Sequence, residues 1–313
     1  CMMPVMAFAG TDEAVGTSFS DADSITHSEA VYSLAALNII NGYTDGTYKP
    51  AKTVTRAEMC KMIATLYNGG TEPVLSTTTT SYTDTKGHWA AGYIEYCTSL
   101  GIVAGVGGGR FSPDATVTAE QAAKMLLIAQ GYNADVEGLV GASWAGNTNV
   151  LANQNDYYKE LADISTGAGL VREHAAQMIY NGLDAKVIKK SNSVNQATGE
   201  VITIYEPSEQ SVANKYLSLQ EKSAVLNAIS YNEKDAEYEY SIGTVKDNDD
   251  KDVADIYKSS VNYTALFGQN VKVLYKVEKN KTVVYGMYAD DSSVLYEGVW
   301  GDVDATTLKN KKV

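Results

Sequence analysis

Guanidinium groups are scarce in this chain: Arg56, Arg110 and Arg172 are its only arginines, and lysine supplies the rest of the positive charge. A guanidinium fork meets a carboxylate or phosphate in two parallel hydrogen bonds, which an ammonium cannot do, so these positions come first as candidates for anion recognition. Arg56 follows a helix start at Thr55, where free amides and the positive end of the helix dipole favour a bound anion. The plainer reading is a capping box with a solvated arginine beside it. Arg172 occupies a similar place in a motif without its cap. Trp89 and Trp144 are suited to stack on the apolar face of a sugar ring or to fill a seam between helices, whereas Trp300 reads as core.

Other chemistries find less support. His27, His88 and His174 are the only histidines, and no nucleophile with a base, and no metal-ligand spacing, accompanies them. Asp247, Asp249, Asp250, Asp252 and Asp255 form the densest acidic run. A calcium loop of EF-hand type needs glycine at its sixth position and glutamate at its twelfth, where this run has Asp252 and Lys258. A solvated loop is the preferred reading, a looser calcium site the alternative, and no cofactor is expected. The reading is a binding protein, not an enzyme.

The elements that must position these groups repeat. Gly42, Gly46, Pro50, Val54, Thr55, Lys61 and Met62 fall on Gly105, Gly109, Pro113, Val117, Thr118, Lys124 and Met125, a constant 63 positions on. Such a period marks a unit that buries its apolar face only against its copies. Each copy parses into two helices around a turn-rich loop. In the first, Val31, Leu34, Ala35 and Asn38 share a face, and the second helix starts with Thr55 and Glu58 as a capping box before the stripe Met59, Met62, Ile63, Leu66. In the second copy the box is Thr118 and Gln121, the stripe Ala122, Met125, Leu126, Ala129, and the first helix carries Tyr93, Ile94, Cys97 and Leu100. A degraded third copy aligns Leu170-Val171-Arg172-Glu173-His174 with Val54-Thr55-Arg56-Ala57-Glu58, loses both cap positions, and keeps Ala175, Met178 and Ile179 as its stripe. Trp144 sits where its first helix should start. The Asp45-Gly46 and Gly107-Gly108-Gly109 loops are explained by tight turning, with close approach to a ligand as the alternative.

Flanking segments set the organisation. Cys1 to Ala9 is an apolar run ending in an A-x-A pattern, read as the remnant of a signal peptide and hence as export. Cys60 and Cys97 are expected as buried free thiols. Thr71 to Ser81 reads as a linker between copies one and two. Beyond Lys190, alternation at Val201 to Tyr205, Tyr238 to Ile242, Val271 to Tyr275 and Thr282 to Tyr288 predicts a small antiparallel β domain, and Thr306 to Val313 carries no terminating pattern, as if a larger protein were cut there. A formal charge of -13 over 313 residues excludes a general polyanion or nucleic-acid binder, and no apolar run is long enough to span a membrane.

Phe19-Ser20-Asp21, Asn41-Gly42-Tyr43-Thr44-Asp45-Gly46-Thr47-Tyr48-Lys49-Pro50 and Val54-Thr55-Arg56-Ala57-Glu58, with Tyr82-Thr83-Asp84 and the pair His88-Trp89, resemble the surface-layer homology repeat of bacterial cell-surface proteins. The resemblance covers about residues 19 to 185. It implies that repeats at 19–70, 82–135 and, degenerate, 140–188 close into a mainly α pseudo-threefold bundle; with the leader remnant at 1–9 and the β domain at 195–313 read from the residues, the expected fold is α+β and multidomain. It implies noncovalent anchoring of an exported surface protein to anionic secondary cell-wall polysaccharide, commonly pyruvylated, in grooves between lobes. The glycan positions it carries over are Arg56, Glu58, Trp89, Trp144 and Arg172. Copy two has Ala119 in place of the arginine and copy one Ile25-Thr26 in place of His-Trp, so at least one groove is expected to be inactive. The alternatives are an anchor for a wall enzyme whose catalytic module lies elsewhere, or a self-associating lattice or appendage subunit.

Overall fold

The computed structural model describes residues 18–75, 80–162, 164–246 and 250–290, so the apolar start and Trp300 lie outside the described residues. They fall in two compact units, one from Thr17 to Leu219 and one beginning at Gln220.

The first unit is built from six helices: α1 (Ser28–Ala36), α2 (Arg56–Tyr67), α3 (Ala91–Ser99), α4 (Ala119–Gln130), α5 (Trp144–Gln154) and α6 (Arg172–Asn181). Both expected capping boxes form. Glu58 N donates to Thr55 Oγ1 at 3.1 Å while Thr55 N donates to the Glu58 carboxylate at 2.8 Å, and Thr118 with Gln121 repeats the exchange. Val171 has the same extended backbone as Thr55 but no side chain able to cap, so α6 starts without a side-chain cap. The stripes Met59, Met62, Ile63, Leu66 and Ala175, Met178, Ile179 are buried. At about 1.5–3 kcal/mol for each large apolar side chain removed from water, they dominate the local energetics.

Helix ends are where sequence and structure part. Asn38, expected on the buried face of the first helix, is exposed at φ 59 beyond α1, and the left-handed turn there stops the helix. Leu100 lies past α3 and is 52% exposed, and Ala129 is only half-buried because Ala123 and Leu127 take the inner face of α4. Phe19-Ser20-Asp21 opens a single 3-10 turn, Ala22–Ser24, instead of a full helix. Asp21 serves the loop across from it: the Oδ1 and Oδ2 atoms accept from Tyr48 N and Lys49 N at 2.7 and 2.8 Å, and Asp84 does the same for Phe111 N and Ser112 N at 2.8 Å each. Gly42 is required below Phe19, since a Cβ there would lie 2.7 Å from the ring.

The segments that precede α2, α4 and α6 join in a closed cycle of backbone hydrogen bonds. Val54 N donates to Leu170 O (2.8 Å), Leu170 N to Val117 O (2.9 Å) and Val117 N to Val54 O (3.0 Å). The first amides of the helices close a second cycle in the opposite sense, with Ala57 N on Pro113 O, Glu120 N on Thr166 O and Glu173 N on Pro50 O. Val54, Val117 and Leu170 are buried at the centre. Around them α2 packs on α3, α4 on α5 and α6 on α1.

A two-stranded ribbon, β1 (Lys186–Val194) with β2 (Val201–Ser211), and the short α7 (Val212–Leu217) complete this unit. Gln130 Nε2 donates to Lys186 O at 2.8 Å and Asn133 Nδ2 to the Tyr205 hydroxyl at 3.0 Å, so the ribbon is fastened to the end of α4. The boundary expected at 195 falls inside this ribbon.

The second unit is a closed five-stranded barrel of β3 (Gln220–Asn232), β4 (Glu237–Lys246), β5 (Asp252–Ser259), β6 (Asn270–Glu278) and β7 (Lys281–Ala289), in the order β3-β4-β5-β7-β6. An antiparallel sheet is the expectation; closure instead uses one parallel contact, Lys258 opposite Val283. Leu226, Tyr240, Ile242, Tyr257, Val271, Val273, Val284 and Met287 fill it. The buried Tyr240 hydroxyl is satisfied, donating to Val261 O at 2.7 Å and accepting from Tyr263 N at 2.9 Å.

Candidate functional site at the helix seams

The chain's expected anion binders are spent on its own backbone. Arg56, first residue of α2, donates from Nε to Phe111 O (3.0 Å) and from Nη2 to Ala104 O (2.9 Å), with its guanidinium 4.3 Å above the Phe111 ring. Burial lowers its pKa from the ordinary value. Arg172, first residue of α6, donates from Nε to Tyr48 O and from Nη2 to Asn41 O, both at 3.0 Å, and lies over Tyr43 and Tyr48. Ala104 and Phe111 are the repeat counterparts of Asn41 and Tyr48, so the two arginines make one contact twice: each clasps the loop of the neighbouring helix pair. Ala119 leaves the start of α4 without such a clasp. Arg110, the third, is exposed and lies 3.5 Å from Asp84 Oδ2.

The helix starts are closed as well. Arg56 N donates to Ala115 O, Ala57 N to Pro113 O and Glu58 N to Thr55 Oγ1. A carboxylate bridging the guanidinium and free amides, the geometry read from the sequence, therefore has no free amides to use there. Glu58 is held by the cap, with Lys52 at 3.7 Å from its other oxygen.

The tryptophans lead elsewhere. Trp89 is 56% exposed and lies tilted against His88 and Tyr93, with ring centroids 5.5 and 6.3 Å away. His88 Nδ1 accepts from Ala90 N at 3.1 Å, which leaves Nε2 as the donor to Asp114 Oδ1 at 3.2 Å. Across the seam α2 presents Lys61, whose Nζ is 5.7 Å from the Tyr93 ring centre. The second seam repeats this: α4 presents Lys124, its Nζ 5.4 Å from the centre of Trp144 on α5. Burial lowers the Lys124 pKa from the ordinary value. An ammonium near an aromatic face can meet the acid group of a ligand while the ring packs on the ligand's apolar side.

The third seam, α6 on α1, differs at both positions. Gln177 replaces the lysine and bonds Glu160 and Asn181, while Thr26 stands for the tryptophan and donates from N and Oγ1 to Glu173 Oε2 at 3.0 and 2.7 Å. His27 and His174 meet edge to face at 5.6 Å, and burial, with His27 adding to it, lowers the His174 pKa. Sequence reasoning ranked arginine above lysine and so passed over Lys61 and Lys124. Their recurrence at the same repeat position was the signal available.

Cys60 and Cys97 are buried and unpaired, Cys97 Sγ lying 3.5 Å from Cys60 O. Asp247 and Asp249 lie outside the described residues. Asp252 and Asp255 sit on β5, where Asp255 accepts from Lys222 Nζ (2.6 Å) and the Tyr257 hydroxyl (2.7 Å). Among the described residues no group of His, Cys, Asp and Glu could hold a metal, and no helix is long and apolar enough to cross a membrane.

Residues 18–60 and 81–123 match the family model of the S-layer homology domain. The chain is 27% identical over 303 residues to a "Cell surface protein" of Thermoanaerobacter kivui, covering 95% of this chain and 36% of that protein. It is 25% identical to the "Middle cell wall protein" of Brevibacillus brevis, across 98% of this chain and 29% of the relative. With the "Surface layer protein" of Brevibacillus choshinensis it shares 24%, over 98% and 27% respectively. The chain thus spans about a third of the length of these relatives, or less.

Proposed function

Because the chain carries S-layer homology repeats, we propose that it anchors an exported, non-enzymatic surface protein to the bacterial cell wall by noncovalent binding of an anionic secondary wall polysaccharide. In this reading 19–70, 82–135 and 140–188 are three repeats of a pseudo-threefold bundle, and the β region belongs to the surface-exposed part. The hydrogen-bonded cycle through Val54, Val117 and Leu170 supports the bundle. The relatives' names support the location at the cell surface.

One observation carries the binding site: an ammonium set beside an aromatic ring at each of two seams, Lys61 by Tyr93, whose ring adjoins Trp89, and Lys124 by Trp144. A chain of net charge -13 can hold an acidic glycan only where cations are concentrated locally and water is partly excluded. The aromatic rings take the sugar face and the lysines its acid. Arg56, Arg172 and Glu58 then act as positioning residues that fix the loops and helix starts around the seams. A pull-down on isolated wall polysaccharide, before and after removal of its acetal-linked pyruvate, tests this. Binding should require the acid, and should fall with Trp144→Ala and Lys124→Gln; retention by the depyruvylated wall of both variants and the wild type alike would sink the reading.

A further inference from the structure

The two cationic seams are alike in framework and unlike in occupancy. In the first, Glu72 lies across the cation: its Oε1 is 2.6 Å from Lys61 Nζ, and the Tyr93 hydroxyl donates to its Oε2. The carboxylate is drawn below its ordinary pKa by Lys61 first and Tyr93 second, and Tyr93 is pushed up to about 12 by burial and by Glu72. Glu72 does not reach this place by chance on a loose linker. Thr71 is tied to the end of α2, donating to Asn68 O at 2.9 Å while Asn68 Nδ2 donates to Thr71 O at 3.1 Å. Three residues on, Leu75 lies against α3 so closely that a Cβ on Gly92 would sit 2.6 Å from it. The segment is pinned on both sides of the carboxylate.

In the second seam the corresponding segment goes elsewhere. Asp135 and Glu137 follow α4, yet their backbone amides are held by Asn133, and among the described residues no carboxylate pairs with Lys124, whose pKa burial lowers. Thr148 follows Trp144 at the interval by which Tyr93 follows Trp89. Its Oγ1 is buried with no hydrogen-bond partner among the described residues, where the Tyr93 hydroxyl has Glu72.

We infer that Glu72 is an internal stand-in for the acid group of the ligand, which closes the α2–α3 seam, and that the Lys124–Trp144 seam is the open carboxylate-binding site. This rests on the anchoring function proposed above and assigns its two seams different states. A ligand carboxylate must displace Glu72 from Lys61 before it can use the first seam, whereas among the described residues Lys124 has no acid to shed. Because Glu72 is half-exposed, the handicap is that of a surface ion pair with one added hydrogen bond, about fivefold in affinity.

The test is a titration of the full 313-residue chain with a methyl hexoside carrying a pyruvate ketal, reading the indole N–H signals of Trp89 and Trp144 by NMR, with the ketal methyl ester as the uncharged control. In the wild type the Trp144 signal should move first, and the Trp89 signal only at about fivefold higher probe. Glu72→Gln should bring the Trp89 midpoint down to that of Trp144, and Tyr93→Phe, which loosens Glu72 without removing it, should bring it part of the way. Equal midpoints in the wild type, or a Trp89 midpoint unchanged in Glu72→Gln, would overturn the inference while leaving the anchoring reading standing. If neither indole responds in any variant, or the ester acts as well as the acid, the anchoring reading itself fails.

Discussion

The seams α2–α3 and α4–α5 share their backbone arrangement with α6–α1 and differ from it in a handful of side chains. In the first two an ammonium faces aromatic rings; in the third a glutamine takes the place of the lysine and a threonine that of the tryptophan, with Glu173 accepting from the threonine and the paired His27 and His174 nearby in sequence. The framework is held by apolar stripes and backbone hydrogen bonds that ignore the identity of the outer residues. Packing and recognition are therefore carried by different residues, and one seam can lose the second without losing the first.

That separation can be broken from the packing side. Ile63→Ala in α2 and Ile179→Ala in α6 remove equally buried side chains, and each should cost about 2–5 kcal/mol in chemical denaturation. A much smaller loss for Ile179 would mean that the third seam is not built like the first. Next in size is the arginine clasp. Arg172→Ala leaves the Tyr48 carbonyl without its donor in a buried place and should cost about 1–3 kcal/mol, more than Arg56→Ala, whose bonds are less buried. Equal losses would put the energy in the cation–ring contact instead.

The caps sharpen the comparison. Thr55→Ala should destabilise by about 1 kcal/mol, whereas Val171→Thr, at a position already extended like Thr55, should stabilise the third helix pair by up to about 1 kcal/mol. A thermal melt of each variant settles the sign. The smallest effect is acid sensitivity. His174 has a folded pKa below its unfolded value of 6.5, so folding disfavours its protonation. Stability is complete above that value and declines as pH falls through it, until the lowered folded pKa is passed. His27 and Glu173 face it, the first deepening and the second opposing the shift. His174→Gln should flatten the stability profile below pH 6.5, and an unchanged profile would assign the titration to another group.

What the sequence reveals here is what is local. Capping boxes, apolar stripes and the start of α5 at Trp144 depend on neighbours within four residues, and each is found where spacing places it save Ala129 at the end of the second stripe. The reach of Arg56 into the loop of the next helix pair, and of Arg172 back into the first, depends on closure between segments more than a hundred positions apart in one case, which no window detects. Asn38 and Leu100 were overcounted because periodicity continues past the point where a turn ends the helix. Glu72 was hidden by its surroundings: it precedes Pro73 and a threonine-rich stretch that reads as spacer, and only the fold shows the Tyr93 hydroxyl of α3 donating to the Glu72 carboxylate.

The ring of hydrogen bonds through Val54, Leu170 and Val117 also sets an order of events for the newborn chain. An open solenoid can grow one unit at a time, each new unit finding a finished edge. Here the amide of Val54 waits for an oxygen 116 positions downstream, because Leu170 supplies it, so the opening third of the unit cannot mature until the last has left the ribosome or the export channel. A fragment ending before Leu170 would keep its helices' amphipathic pattern and still lack the partner that finishes the circle.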